Sequence, residues 1–283
     1  MNGSYQGGLR IFVVDAFTAE PFRGNPAGVC LWADGLSNEQ MQAIAAEMKH
    51  SETAFVSAGA AEDPSKAERY GLRWFTPACE VPLCGHATVA ASHVLFNEVG
   101  VERDELLFDT LSGELKAVKE DGRIRLDFPR GAPEPFDAPE ALTDALGISR
   151  FAEAAYCGKT NNTIIRFETP EDVVAVRPDF DRLEAAKIGD VPHGVIVTSG
   201  GGDEYDFVSR FFAPAVGVPE DPVTGVAHTV LAAFWAERLG KEEMRAYQAS
   251  ARGGEMTVRL TGEDRVYLIG KAVTVLRGDL LLS

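Results

Sequence analysis

One short run of residues occurs twice in this chain, and the duplication constrains the fold more than any other feature. Arg73-Trp74-Phe75-Thr76-Pro77-Ala78 is matched by Arg210-Phe211-Phe212-Ala213-Pro214-Ala215. Each run passes through a short loop to a glycine that opens an apolar helix, Gly85 in one case and Gly225 in the other. The stop signals Gly100 and Gly240 also correspond. Both helices are apolar on most faces, through Val89, Ala91, Val94, Leu95 and Phe96 in one and Val230, Leu231, Ala233, Phe234 and Trp235 in the other. Such a helix has to be surrounded by other structure. The repeat predicts an α+β fold of two pseudo-symmetric lobes, each a curved, mostly antiparallel sheet wrapped around a central helix. The lobes are expected at residues 1–128 and 129–283, with the last strand able to cross back to the first lobe. Pro129 to Pro139, rich in Pro, Gly and Ala, is the expected linker.

The chain's 283 residues suffice for two domains of ordinary size. Alternation predicts strands over Leu9–Phe17, Ala27–Trp32, Thr53–Ser57, Tyr70–Thr76 and Gly194–Ser199. Ser37 followed by Gln40 has capping-box spacing and predicts a helix with Met41, Ile44, Ala45 and Met48 on its apolar stripe. A net charge of −16 argues against nucleic acid or an anionic membrane as a partner. It leaves room for a small anionic substrate, because a helix N-terminus acts locally while distant charge is screened. No stretch reads as a transmembrane span, and the polar, Gly-rich Met1–Gly8 reads as a disordered leader rather than a signal peptide. The four cysteines show no zinc-type pairing, which predicts a reduced, cytoplasmic chain.

Reactive groups concentrate in four turns: Gly24-Asn25-Pro26-Ala27-Gly28, Ser51-Glu52-Thr53, Cys84-Gly85-His86-Ala87-Thr88 and Glu220-Asp221-Pro222-Val223-Thr224-Gly225. Glu52 stands between a helix and an apolar strand, where partial burial favours the protonated acid and suits it to moving protons. Taken alone it reads rather as a solvated turn residue, since perturbed carboxylates are a minority. Asp221, four residues before Gly225, reads alone as a turn or capping residue; with Glu52 in a corresponding turn it becomes a second polar group of a site. His86 lies in a first helical turn, where the dipole keeps its ring neutral, whereas His93 and His228 read as packed helix histidines. Cys84 is a thiol at a helix N-terminus, a position that lowers its pKa. The equivalent place in the second repeat is Thr224, so a symmetrical two-thiol site is absent. Glu52 likewise has no acidic counterpart near Gly194, an asymmetry that favours shuttling one proton on one face over epimerisation.

Taken in order, these runs resemble the PhzF-like phenazine biosynthesis family of isomerases. The likeness extends from Val14-Asp15-Ala16-Phe17 to Arg252-Gly253-Gly254 and Gly270-Lys271-Ala272-Val273. It implies the diaminopimelate-epimerase-like fold, a homodimer, no cofactor or metal, and a site in the cleft between lobes. It also implies that Glu52 is the catalytic acid/base, with His86 and Asp221 in the pocket and the helix N-termini at Gly85 and Gly225 holding a substrate carboxylate. Asn25 and Ser51 join Gly85, Gly225 and Val226 as candidate substrate contacts. Val226 departs from the Ser common in the family and removes a hydroxyl donor. Two other readings remain open: a racemase, epimerase or dehydratase of a small amino or hydroxy acid using Cys84, and a metabolite-binding protein without turnover.

Overall fold

The computed structural model describes residues 8–186 and 194–282, so the expected leader lies outside the described residues apart from Gly8. The described chain forms two compact units, one reaching to Asp127 and resuming at Ile269, the other spanning Phe128–Leu268. Among the described residues no helix is long and apolar enough to cross a membrane.

The first unit runs β1 (Leu9–Ala16), β2 (Asn25–Leu31), α1 (Asn38–Met48), β3 (Glu52–Ser57), β4 (Tyr70–Phe75), β5 (Glu80–Val81), α2 (Gly85–His93), β6 (Glu105–Thr110), β7 (Gly113–Glu120) and β8 (Arg123–Pro129). The chain continues through β9 (Glu134–Pro135), α3 (Glu140–Leu146), β10 (Glu153–Cys157), β11 (Asn162–Arg166), α4 (Pro170–Ala175) and α5 (Phe180–Ala185). It then forms β12 (Gly194–Gly200), β13 (Phe207–Phe212), α6 (Gly225–Leu239), β14 (Glu243–Gln248), β15 (Gly254–Thr261), β16 (Arg265–Gly270) and β17 (Ala272–Leu280).

Each unit pairs its strands in the same sequence of senses. β1 and β2 are antiparallel, β2 and β3 parallel, β3 and β4 antiparallel, β4 and β6 parallel, β6 and β7 antiparallel. β10 to β15 repeat that series. Parallel neighbours need a crossover, which α1 and α2 supply in the first unit and α4, α5 and α6 in the second. The fold is thus a mixed α/β arrangement dominated by sheet. Antiparallel pairs outnumber parallel ones in each unit, as the mostly antiparallel reading expects.

α1 begins as its sequence dictates. Gln40 N–H donates to Ser37 Oγ at 3.3 Å, and Ser37 N–H donates back to Gln40 Oε1 at 2.9 Å. Its Met41, Ile44 and Ala45 pack with Ile11, Phe55 and Phe75 of the sheet. α2 buries every residue from His86 to Ser92, and its alanines let β1, β2, β3 and β17 approach closely. Beyond His93 the helix widens into π-type turns over Val94–Val99 and stops at Gly100, whose φ of 80° suits glycine. The supposed linker is ordered in part: β9 inside it pairs with β10. β17 runs antiparallel to β1 from Leu9↔Leu280 to Ala16↔Ala272, which makes the C-terminal strand part of the first unit.

The two duplicated runs are stapled alike. Arg73 Nε lies 2.7 Å from Glu80 Oε1 and its second nitrogen 2.8 Å from Oε2, with the guanidinium 5.1 Å from the Phe75 ring centre. Arg210 grips Glu220 at 2.8 and 3.0 Å and sits 4.9 Å from the Phe212 ring centre. Ser112 donates to the Pro82 carbonyl and Ser250 to the Pro222 carbonyl, each at 2.8 Å. Both loops ahead of the enclosed helices are therefore held at three corresponding points.

Candidate active site

In the first unit, Glu52 opens β3 opposite Ala27 of the parallel strand β2, and Asn25 opens β2 fully buried. Gly24 precedes it with φ +63°, and a Cβ there would lie 2.1 Å from the Ala16 carbonyl oxygen, so only glycine makes this turn. Ser51 is half-buried beside Glu52. Across from them α2 starts at Gly85, with Cys84 as an N-cap residue whose side chain makes no capping bond. The first amide groups of the helix thus keep their capacity for an anion.

His86 is the centre of this cluster. Its Nδ1 is 3.5 Å from Cys84 Sγ, and its Nε2 is 3.3 Å from Glu52 Oε2, out of line for a well-formed hydrogen bond. Burial removes hydration from the imidazolium and pushes the His86 pKa down to about 3, with His50 adding in the same direction. The ring is neutral as expected, with desolvation the largest cause. A neutral imidazole has one donor and one acceptor nitrogen. With the proton on Nε2, Nδ1 accepts from the Cys84 thiol; with the proton on Nδ1, the ring donates to Sγ. Glu52, with a side chain 19% exposed, is the accessible end of the chain of three. Their donor atoms all lie within 4.8 Å of one another, the grouping of this kind found among the described residues.

The second unit holds a different cluster. Thr224, the N-cap residue of α6, makes no side-chain cap; its hydroxyl donates to Asp221 Oδ2 instead. Fully buried Gln248, at the end of β14, accepts from Thr224 N–H at 2.9 Å and donates to the Asp221 carbonyl at 2.7 Å. Gly225 opens the helix, and Val226 is 46% exposed in its first turn. His228 Nδ1–H donates to the Thr224 carbonyl at 2.7 Å, just as Thr88 Oγ donates to the Cys84 carbonyl at 2.6 Å in α2. Both residues tighten the turn four residues back, so His228 is structural. The structure thus gathers Glu52, Cys84 and His86 in one unit, and Asp221, Gly225 and Val226 in the other.

Gln248 was not among the residues the sequence pointed to. Its strand has only Met244 and Ala246 as buried apolar residues, too weak an alternation to mark a strand. Glu80 was also missed and Glu220 named only within its run, although Glu80-Val81-Pro82 and Glu220-Asp221-Pro222 stand at equal distances from Gly85 and Gly225. That spacing shows Asp221 to be the counterpart of Val81, an asymmetry between the repeats. Gln248→Leu strands the Thr224 amide and the Asp221 carbonyl in a buried place. It is expected to cost about 1–3 kcal/mol in urea denaturation; an unchanged midpoint would show the clamp to be idle.

Acid sensitivity follows from the two buried rings. Burial pushes the His228 pKa down to about 4, the Thr224 hydrogen bond opposing only in part. Below the ordinary value of 6.5 the unfolded chain takes up protons that the native His86 and His228 refuse, so stability present above pH 6.5 is lost as pH falls. Between pH 6.5 and 4.5 each ring should cost the fold about 2–3 kcal/mol. Urea midpoints of wild type and His228→Gln across this range check it, and the mutant should show the shallower fall.

The model of the family described as phenazine biosynthesis-like protein matches residues 14–278. The mouse phenazine biosynthesis-like domain-containing protein 1 is 43% identical over 284 residues, 96% of this chain and 99% of its own. An uncharacterized isomerase of Pseudomonas aeruginosa is 46% identical over 274 residues, 97% of this chain and 99% of that one. The crystal structure of a PhzF-family phenazine biosynthesis protein from Enterococcus faecalis matches with a TM-score of 0.89 at 39% identity, covering 97% of this chain and 100% of that one. Fold and relatives define an enzyme of the isomerase class. Within that class, the chain belongs to the phenazine biosynthesis-like protein family.

Proposed function

We propose that this isomerase moves a proton within a small carboxylate-bearing substrate, without a cofactor, using Glu52 as the acid/base. The observation that carries the reading is the Glu52 carboxylate held 3.3 Å from the buried neutral His86, beside an N-terminus of α2 that its cap residue leaves open. The helix amides at Gly85 hold the substrate carboxylate, with Asn25 and Ser51 as neighbouring polar contacts. Glu52 takes a proton from a carbon made acidic by conjugation, becomes the neutral acid, and returns the proton to another carbon on the same face. The electron pair stays within the substrate, so nothing is oxidised or reduced. His86 orients Glu52 and supplies a hydrogen bond to the protonation state that needs it. Asp221, fixed by Thr224, orients a polar substituent of the substrate; Gly225 contributes backbone amides, and Val226 narrows the range of hydroxylated ligands. The same reading includes a cytoplasmic homodimer, for which light scattering on the purified chain is the direct measurement.

A second reading has an observation of its own. Cys84 Sγ, His86 Nδ1 and the far ring nitrogen at Glu52 form a thiol–imidazole–carboxylate series, an arrangement that activates a thiol as base. Incubation in D2O with a panel of amino, hydroxy and dihydroaromatic acids separates the two. Deuterium uptake that persists in Cys84→Ala supports the Glu52 reading, and uptake lost in Cys84→Ala but kept in Glu52→Gln supports the thiol reading. Absence of uptake with every acid in wild type would sink both.

A further inference from the structure

We propose that Glu52, Cys84 and His86 form a binding site for a thiophilic divalent cation, zinc above all, and that the cation blocks the reacting centre when it binds. The site itself stands on geometry alone; the blocking rests on the function proposed above. A thiolate, an imidazole and a carboxylate are the donor set that zinc favours, and one carboxylate is far short of the oxygen shell that calcium or magnesium needs. In a tetrahedral zinc site, bonds of about 2.0–2.3 Å place neighbouring donors about 3.3–3.6 Å apart. Cys84 Sγ lies 3.5 Å from His86 Nδ1 and Glu52 Oε2 3.3 Å from the opposite ring nitrogen, Nε2, so one of the two separations already matches an edge of the tetrahedron. A cation takes one ring nitrogen, so the imidazole turns toward it while the remaining separation closes from no more than 4.8 Å.

The buried Nε2 of His86 is a second observation pointing to a ligand. The ring is 6% exposed and this nitrogen has no aligned hydrogen bond, a rare state for a buried polar atom. All three ligands sit on rigid elements, Glu52 at the start of β3 and the other two at the start of α2. Three protein donors leave a fourth position open to water or substrate. Glu52, the least buried of the three, marks the side from which a cation enters. The chain's net charge of −16 raises the local concentration of cations.

Anaerobic titration of the full chain with Co²⁺ tests the site, because tetrahedral cobalt bound to a thiolate absorbs visibly and octahedral aqueous cobalt barely does. One cobalt per chain should bind saturably with a sulfur charge-transfer band, and zinc should displace it. Cys79, the exposed thiol, is the control: Cys79→Ser should leave the spectrum unchanged. Cys84→Ser should remove the sulfur band, and Glu52→Gln, a near-isosteric change at a partly exposed position, should weaken binding by about tenfold or more. Titration without saturation, an octahedral spectrum, or a band kept in Cys84→Ser and lost in Cys79→Ser would overturn the site. Zinc should also stop deuterium uptake, with recovery on adding chelator. Saturable binding that leaves uptake intact would overturn the blocking while the site stands.

Discussion

Glu52→Gln is expected to lower turnover by about 10²–10⁴-fold while leaving substrate affinity within a few-fold of wild type. The amide keeps the size and one hydrogen-bonding oxygen of the acid but cannot accept a proton from carbon. Its neighbours are set by β3 and α2 rather than by its charge, so the fold should persist. His86 contributes no charge of its own near neutrality, since burial holds it neutral down to about pH 3. The variant therefore isolates proton transfer from electrostatic binding. Mass spectrometry of substrate in D2O reads the outcome, with isothermal titration as the binding control. If exchange survives in Glu52→Gln while Cys84→Ala destroys it, the base is the thiol, and Glu52 only orients the ring.

Glu220→Ala is expected to have the largest effect on stability, about 3–5 kcal/mol, because it leaves a charged guanidinium buried without its partner. Arg210 has a side chain only 10% exposed and also donates to the Val173 and Val176 carbonyls. The corresponding change in the first unit, Glu80→Ala, should cost about 1 kcal/mol or less, since Arg73 is 30% exposed and recovers water. Replacing both partners, Arg210→Met with Glu220→Leu, should recover part of the loss. Recovery stays partial because the two carbonyls lose their donor. Urea denaturation of the three variants compares them directly. Equal losses for Glu80→Ala and Glu220→Ala would show that burial of the arginine is not what decides the cost.

Much of the candidate site could be read from local sequence. The spacing of Ser37 and Gln40 dictates a capping box, and the apolar residues on most faces of 85–99 and 225–239 dictate enclosed helices. The repeated arginine and glycine positions place a loop and a helix N-terminus in each half. These are short-range facts: a cap, a period or a glycine stop needs only its neighbours in the chain. Glu52, Cys84 and His86 stood out because turns at element ends carry reactive groups without a packing reason to be there.

What the sequence could not show depends on pairs distant along the chain. The neutrality of His86 is a matter of enclosure, and it becomes visible only once α2 is surrounded by β1, β2, β3 and β17. Gln248 lies 27 positions beyond Asp221 and bonds it only because β14 returns beside β13. The side on which β17 would lie stayed open until its register with β1 was formed, since its alternation suits either unit equally. The sequence by itself determined the two strand–loop–helix repeats and the reactive residues at their ends, because hydrophobic period and turn chemistry are local. Tertiary structure alone decided which of those residues meet, how deeply each is buried and therefore its charge, because desolvation and hydrogen bonding are set by whatever the rest of the chain brings alongside.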